Sequence, residues 1–277
     1  MRKLLFAGIL ILAMSGLALA QDFPKYELFG GYSYMRSDLD STTSWLGSYS
    51  NSDGSNSSAG ATNGHGFEVA FTYNLNKWFG IKGDFSTHFS TMDLDAKDSY
   101  AYSYPDNYYN DGYSATYTRQ GSAEMRQYTY LFGPEFSLRK YEKFRPFAHF
   151  LVGFQTVDVH KLNVIEDTLR EWTSEGSVYS TDHYDYRTTG KVKGTSFAMT
   201  FGGGVDIKLS DSISLRLPQV DYIIPTLREL SVDVTEKFND YNGSDTVYYT
   251  RTDKYDMKVP TSRFHNVRVS TGLVITW

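Results

Sequence analysis

The chain has 277 residues, no cysteine, a formal net charge of −5 and 23 tyrosines beside 18 phenylalanines and 4 tryptophans. Without cysteine there is neither a disulfide scaffold nor a thiolate metal site, and the acidic balance argues against a nucleic-acid partner, which needs a basic face. An aromatic content of 16% excludes a disordered chain, even though mean hydropathy is only −0.42.

The first twenty residues read as an address. Arg2 and Lys3 precede an apolar run from Leu4 to Met14, and Ala18-Leu19-Ala20 closes the segment ahead of Gln21. A charged start, a short apolar run and small residues at the cut predict a cleavable secretory signal over 1–20. The alternative is a retained anchor, for which the run is short. No cysteine follows it, so no lipoprotein anchor is expected. The mature domain is expected over 21–277.

No later segment has the ~18 continuous apolar residues of a membrane helix, and only Leu162 to Trp172 suggests a helical period. What recurs is alternation at period two, the mark of strands with two unlike faces. Over 26–35, Tyr26, Leu28, Gly30, Tyr32 and Tyr34 oppose Glu27, Phe29, Gly31, Ser33 and Met35. Phe67, Val69, Phe71, Tyr73 and Leu75 form the apolar face of 66–75, against Glu68, Ala70 and Thr72. In 79–92 the apolar face runs from Phe79 through Ile81 and Phe85 to Phe89, opposite Lys82, Asp84, Ser86, His88 and Ser90. In 126–138, Tyr128, Tyr130, Phe132, Phe136 and Leu138 oppose Gln127, Thr129 and Glu135. Ala148, Phe150, Val152 and Phe154 alternate with Phe147, His149, Leu151 and Gln155; Phe197, Met199, Phe201, Val205 and Ile207 alternate with Ala198, Thr200, Asp206 and Lys208. A seventh strand begins on Ile213, Leu215 and Leu217 and changes phase to Val220, Tyr222 and Ile224, which predicts a β-bulge at Pro218-Gln219. The eighth alternates Val267, Val269, Thr271, Leu273, Ile275 and Trp277 with Asn266, Arg268 and Ser270.

A soluble sandwich also alternates, but its polar face meets water and carries many long charged side chains. Here that face is mostly Gly, Ser, Thr and Ala with a few charges of both signs, which suits the crowded interior of a narrow barrel. The connections alternate as well. Short links at 76–78, 139–145 and 210–212 separate long ones near 36–65, 93–125, 156–195 and 226–264. The expected fold is all-β, a closed eight-stranded antiparallel up-and-down transmembrane barrel with four long extracellular loops. Tyr100, Tyr102 and Tyr104 keep period two, and 231–235 with 246–249 flank a turn-rich stretch, so hairpins are expected to continue above the membrane. Hairpins entering the wall would raise the count to ten or twelve. Ser48 to Asn63, rich in Ser, Asn and Gly, reads as a mobile loop.

Glu27-Leu28-Phe29-Gly30-Gly31-Tyr32-Ser33-Tyr34, Phe132-Gly133-Pro134-Glu135-Phe136 and the closing Asn266 to Trp277 resemble the small outer-membrane β-barrels of OmpA/OmpX type. That resemblance implies a Gram-negative outer-membrane location, insertion by the barrel-assembly machinery with periplasmic chaperones, and roles in envelope stability or adhesion, with lipid enzymes among the relatives. It makes Val267, Val269, Thr271, Leu273, Ile275 and Trp277 the expected assembly signal, with Trp277 where members commonly carry Phe. With the chain ending on strand eight, no cell-wall-binding domain is expected.

Catalysis finds little support. His88-Phe89-Ser90 has a spacing a lipid hydrolase could use, yet both side chains turn inward and position 102 is Tyr rather than an acid. His149 reads as a satisfied interior histidine. His160 and His183 have Asp158, Asp182 and Asp185 nearby, an unspecific metal pattern, and Asp106 to Asp111 lacks calcium-loop spacing. Asn56-Ser57-Ser58 matches a glycosylation acceptor and is discounted in a bacterial envelope protein. Tyr32, Tyr34, Tyr128, Tyr130, Trp78 and Trp277 fit interfacial girdles, whereas Tyr108, Tyr109, Tyr113 and Tyr117 suit a contact surface. No cofactor is expected. The inward set Glu27, Glu68, Lys82, Asp84, Glu135, Asp206, Lys208, Arg216, Asp221 and Arg268 is expected to pair across the bore and plug it. The reading is a monomeric, non-enzymatic barrel surrounded by outer-membrane lipid and lipopolysaccharide, with an unknown extracellular ligand. A small-solute channel is the alternative.

Overall fold

The computed structural model describes residues 23–37, 62–93, 96–103, 112–174, 177–226, 229–241, 247–260 and 265–277. The segments 1–22, 38–61 and 104–111 lie outside the described residues, and with them the signal, most of the Ser/Asn/Gly-rich stretch, the glycosylation match, Tyr104, Tyr108, Tyr109 and the Asp106 to Asp111 piece.

Eleven strands are described: β1 (Tyr26–Ser37), β2 (Thr62–Asn74), β3 (Phe79–Asp93), β4 (Ala96–Ser103), β5 (Gly112–Ser137), β6 (Phe144–Ser174), β7 (Ser177–Lys208), β8 (Ile213–Thr226), β9 (Glu229–Tyr241), β10 (Val247–Pro260) and β11 (Asn266–Thr276). Eight of them close an antiparallel ring, β1-β2-β3-β5-β6-β7-β8-β11 and back to β1. The other three lengthen ring strands. β4 takes up on β5 where β3 leaves off, with Asp93 opposite Ser122 and Ala96 opposite Arg119. β10 stands above β11 in the same way, with Pro260 opposite Glu229 and Asn266 opposite Ile223. β9 prolongs β8 along β7. The barrel therefore has eight walls, and the expected count holds.

Much of what the sequence suggested as long loops is strand. β5, β6 and β7 run 26, 31 and 32 residues, far beyond a bilayer, and the β9–β10 hairpin forms as expected. The segment from Leu162 to Trp172, which hinted at a helix, belongs to β6. The phase change is real and sits one residue earlier than expected: Arg216 and Gln219 both turn inward, with Leu217 and Pro218 exposed between them. One extra residue there shifts the pairing with both neighbours.

The outward face carries an unbroken apolar band. Phe132 is 61% exposed, Phe201 54% and Phe154 58%. On β5 the band runs from Leu138 to Tyr128, the length a tilted strand needs to cross a bilayer. No outward position within it is charged on any of the eight walls. At the short-turn end Asn76 Oδ1 accepts from the amides of Trp78 (3.0 Å) and Phe79 (2.9 Å), bending the chain between β2 and β3. Lys25 and Tyr26 amides donate to the Trp277 carbonyl (2.9 and 3.0 Å), sealing first strand to last.

Two outcomes are expected. Phe201→Arg puts a charge on the apolar band and should cost about 2–4 kcal/mol in urea unfolding from vesicles, whereas inward Thr200→Ala should be mild; the reverse order would invert the register. Deleting 267–277 removes β11 and leaves β1 and β8 with open edges that lipid cannot satisfy, so a heat-modifiable folded band should vanish from outer-membrane fractions.

Candidate functional site: the sealed bore and the tall wall

Along β5 the inward residues read Ser137, Glu135, Gly133, Leu131, Thr129, Gln127, Met125 and Ala123, so the bore passes from charged to apolar, to amide and to apolar again. The charged layer is densely paired. Arg268, fully buried, places Nη1 2.8 Å and Nη2 3.0 Å from the two Asp84 oxygens. Its Nε and Nη2 also reach Asp221 Oδ2 at 2.9 and 2.6 Å. Glu68 lies 3.5 Å away and takes a hydrogen bond from Ser270. Lys82 is ringed by Asp84 (3.7 Å), Glu135 (3.7 Å) and Glu68 (3.9 Å). Arg216 grips both oxygens of Asp206 (2.7 and 3.1 Å) and lies between the rings of Phe29 and Phe147. Isolated ions in such a space would be costly, and here each acid has at least one cation from another strand within 4 Å.

Gln219 is the hub of this layer. Its Nε2 donates to Glu68 (2.8 Å) and Asp221 (2.7 Å), while its Oε1 accepts from Arg216 (3.0 Å) and Lys82 (3.3 Å). All four capacities of the amide are used. The bulge makes this possible, because regular alternation could not turn Arg216 and Gln219 inward together. Gly202 serves the same layer by absence: a Cβ there would lie 1.8 Å from Asp221 Oδ1 and 2.7 Å from His149 Nε2.

Nine of the ten charged positions expected in the bore are buried there. The tenth is corrected. Lys208 ends β7, is exposed, and pairs with Asp211 of the turn at 2.8 Å; as the last strand residue its side chain is free to leave the bore. Two bore cations were missed. Arg145 bridges Glu27 (2.8 Å) and Asp206 (2.7 Å), and Arg139 also binds Glu27. Both continue the inward phase two residues beyond Ser137 and Phe147, so the signal lay in residues assigned to a turn. His149 joins the layer as well, 2.8 Å from Asp221 and 3.9 Å from Glu135.

His88 turns inward but meets Ser33, not Ser90: its Nε2 is 2.8 Å from Ser33 Oγ, and both are buried. His160 and His183 stand on strands, beside Glu124 (3.2 Å) and Asp167 (2.9 Å). Among the described residues no group of three or more His, Asp and Glu side chains is placed to hold a metal.

Beyond the apolar band the wall has its own interior. Met92, Met125, Val157, Leu162, Val164, Val192, Leu230, Val232 and Val234 pack into one buried cluster. Further along, aromatic rings take over the same face: Tyr186 and Phe238 lie 4.9 Å apart, Tyr113 and Trp172 5.4 Å, and the Arg170 guanidinium sits 5.2 Å from the Tyr184 ring. On the outer side Asp185 accepts from Asn239 (3.0 and 3.1 Å) and from the Tyr241 hydroxyl. That carboxylate pushes the Tyr241 phenol up to about 12, because losing its proton would break the bond and set two anions together.

A closed ring of eight antiparallel strands, apolar outside and charged within, leaves one architecture. The chain has the fold of the small OmpA/OmpX-like outer-membrane barrels. Among solved structures it is similar to Neisserial surface protein A (8% identity, 93% of this chain and 100% of that one, TM-score 0.39). It is also similar to Ail, the attachment invasion locus protein of Yersinia pestis (11%, 91% and 99%, TM-score 0.33), and to OprG of Pseudomonas aeruginosa (10%, 92% and 96%, TM-score 0.33). No protein-family model matches the sequence, and no curated protein matches it. At such identities and scores these likenesses do not bear on function, and the fold stands on the strand pairing of the barrel itself.

Removing Arg268 leaves Glu68, Asp84 and Asp221 facing one another in a buried space. Arg268→Gln should destabilise the barrel by about 3–5 kcal/mol, while Lys208→Gln, at an exposed strand end, should fall within about 0.5 kcal/mol. Equal effects in vesicle-bound urea titrations would mean that the bore is wet.

Proposed function

We propose that this chain is a non-enzymatic, non-conducting barrel of a Gram-negative outer membrane, which stiffens the envelope and holds an aromatic-rich wall out from the cell as a contact surface. The observation that carries this reading is the bore. Lys82, Arg216 and Arg268 with their acids and Gln219 are at most 5% exposed, and they join β2, β3, β5, β7, β8 and β11 across the lumen. A path for ions would have to break these pairs. The wall supports the second half. Tyr113, Trp172, Tyr184, Phe238 and Tyr249 lie toward its far end, where a bilayer gives no reason for rings, and amphipathic aromatic residues with few rotatable bonds suit recognition.

On the same reading, the signal over 1–20 takes the chain through the inner membrane and periplasmic chaperones carry it. The barrel-assembly machinery then reads the outward residues of β11 and Trp277. The barrel works as a monomer, and its ligand is extracellular.

Purified wild-type monomers in planar bilayers should give no steady conductance; ion-selective steps would overturn the sealed barrel and favour the small-solute channel. Changing Tyr113, Trp172 and Tyr249 together to Ser should leave surface levels intact and abolish attachment of expressing cells to glycan and matrix-protein arrays. Attachment equal to that of the wild type would remove the contact role.

A further inference from the structure

At the wall end of the apolar band, the outward residues that can carry a charge are mostly basic. They are Arg36 on β1, His65 on β2, Arg126 on β5 and, one outward position past Thr195, Lys193 on β7; His265 stands just before β11. The one acid in this row is Asp158 on β6, directly between Arg126 and Lys193. All but Asp158 are exposed. A chain with formal charge −5 thus wears a basic collar at one boundary of its membrane band.

Among the described residues no ion pair holds Arg36, Arg126 or Lys193. One step further out, charges on the same walls pair off: Glu124 with Lys161 (2.6 Å) and His160 (3.2 Å), and Lys191 with Asp233 (3.6 Å). Arg126 and Lys193 both flank Asp158 in register, yet among the described residues no ion pair joins either of them to it. Arg126 instead lies over the Phe89 ring, 5.9 Å from its centroid, at the edge of the band. The two cations stand two strands apart, roughly 10 Å, within reach of one large headgroup. On the other side of the ring, Arg36 lies diagonally between His65 and His265. The hydroxyls of Tyr32 and Tyr222 hold those imidazoles through Nδ1 (2.5 and 2.7 Å). Where the hydroxyl donates, the ring proton resides on Nε2, a further donor for an anion.

A guanidinium or ammonium at the rim of an apolar band extends its stem along the acyl chains and its head into the polar layer, where a phosphate is the anion that forked Arg donors fit best. We propose that this collar binds the phosphate groups of the outer-leaflet glycolipid at two places, one built from Arg126 and Lys193 and the other from Arg36 with His65 and His265. The proposal rests on the outer-membrane reading above and adds to it a defined lipid contact.

The test reconstitutes the full mature barrel in phosphatidylcholine discs containing a minor fraction of bisphosphorylated lipid A, dephosphorylated lipid A or phosphatidylglycerol, and measures co-isolated lipid by mass spectrometry. Bisphosphorylated lipid A should be enriched around the wild type. R126Q/K193Q and R36Q should each lower that enrichment, and the triple variant should lose on the order of tenfold. R187Q/K237Q, which removes two exposed cations farther out on the wall, should change nothing. Enrichment unaltered in the triple variant, or equal for dephosphorylated lipid A or phosphatidylglycerol, overturns the collar site. A folded barrel without enrichment sinks this proposal alone, whereas failure to form a protease-resistant barrel in any bilayer sinks the outer-membrane reading as well.

Discussion

The rest of the structure depends on one constraint: a charge can enter this bore only if another strand supplies its partner. Arg268 on β11 meets that condition with carboxylates from β2, β3 and β8, and Arg145 on β6 meets it with β1 and β7. Such pairs return little net stability, because desolvation consumes most of the attraction. What they impose is registry. A strand slipped by one residue would turn its inward ions into lipid and leave their partners unpaired, so the correct closure is separated from near neighbours by a large penalty.

The bulge at Leu217-Pro218 serves the same end. It places Gln219 where an amide with two donors and two acceptors can stand between two cations and two anions. A charged residue there would upset the balance, and an apolar one would leave four polar groups short of a partner. Phe29 and Phe147 complete the arrangement by lying against the flat faces of Arg216, which its hydrogen bonds leave bare.

The alternation of Phe, Tyr and Val against small or charged residues was readable because the two faces of each strand meet opposite environments, lipid and a packed bore. The eight walls, the phase change near Pro218 and nine of the ten bore charges followed from it. Where that contrast fades, so did the reading. In β6, Glu166, Asp167, Thr168, Leu169 and Arg170 lie above the band, and both faces there meet protein or water, so no period marked the segment as strand. Lys208, Arg139 and Arg145 failed for a different reason. At a strand terminus the pattern gives the phase, but only the neighbours decide whether a long side chain turns in or out. The network that makes the bore a barrier was visible as a list of charges; which charge holds which was not, since Arg268 and Asp84 are 184 positions apart.

β10 pairs only with β9 among the described residues, so one side of this strand is a sheet margin. Such margins invite a neighbouring molecule to add its own strand and start a fibre. Arg251, Asp253, Lys254 and Asp256 run along this one, with Arg251 and Asp253 2.7 Å apart. A foreign strand would have to match this comb of alternating signs or strip water from it. The comb thus sets a charge barrier against a second copy adding its strand to this margin.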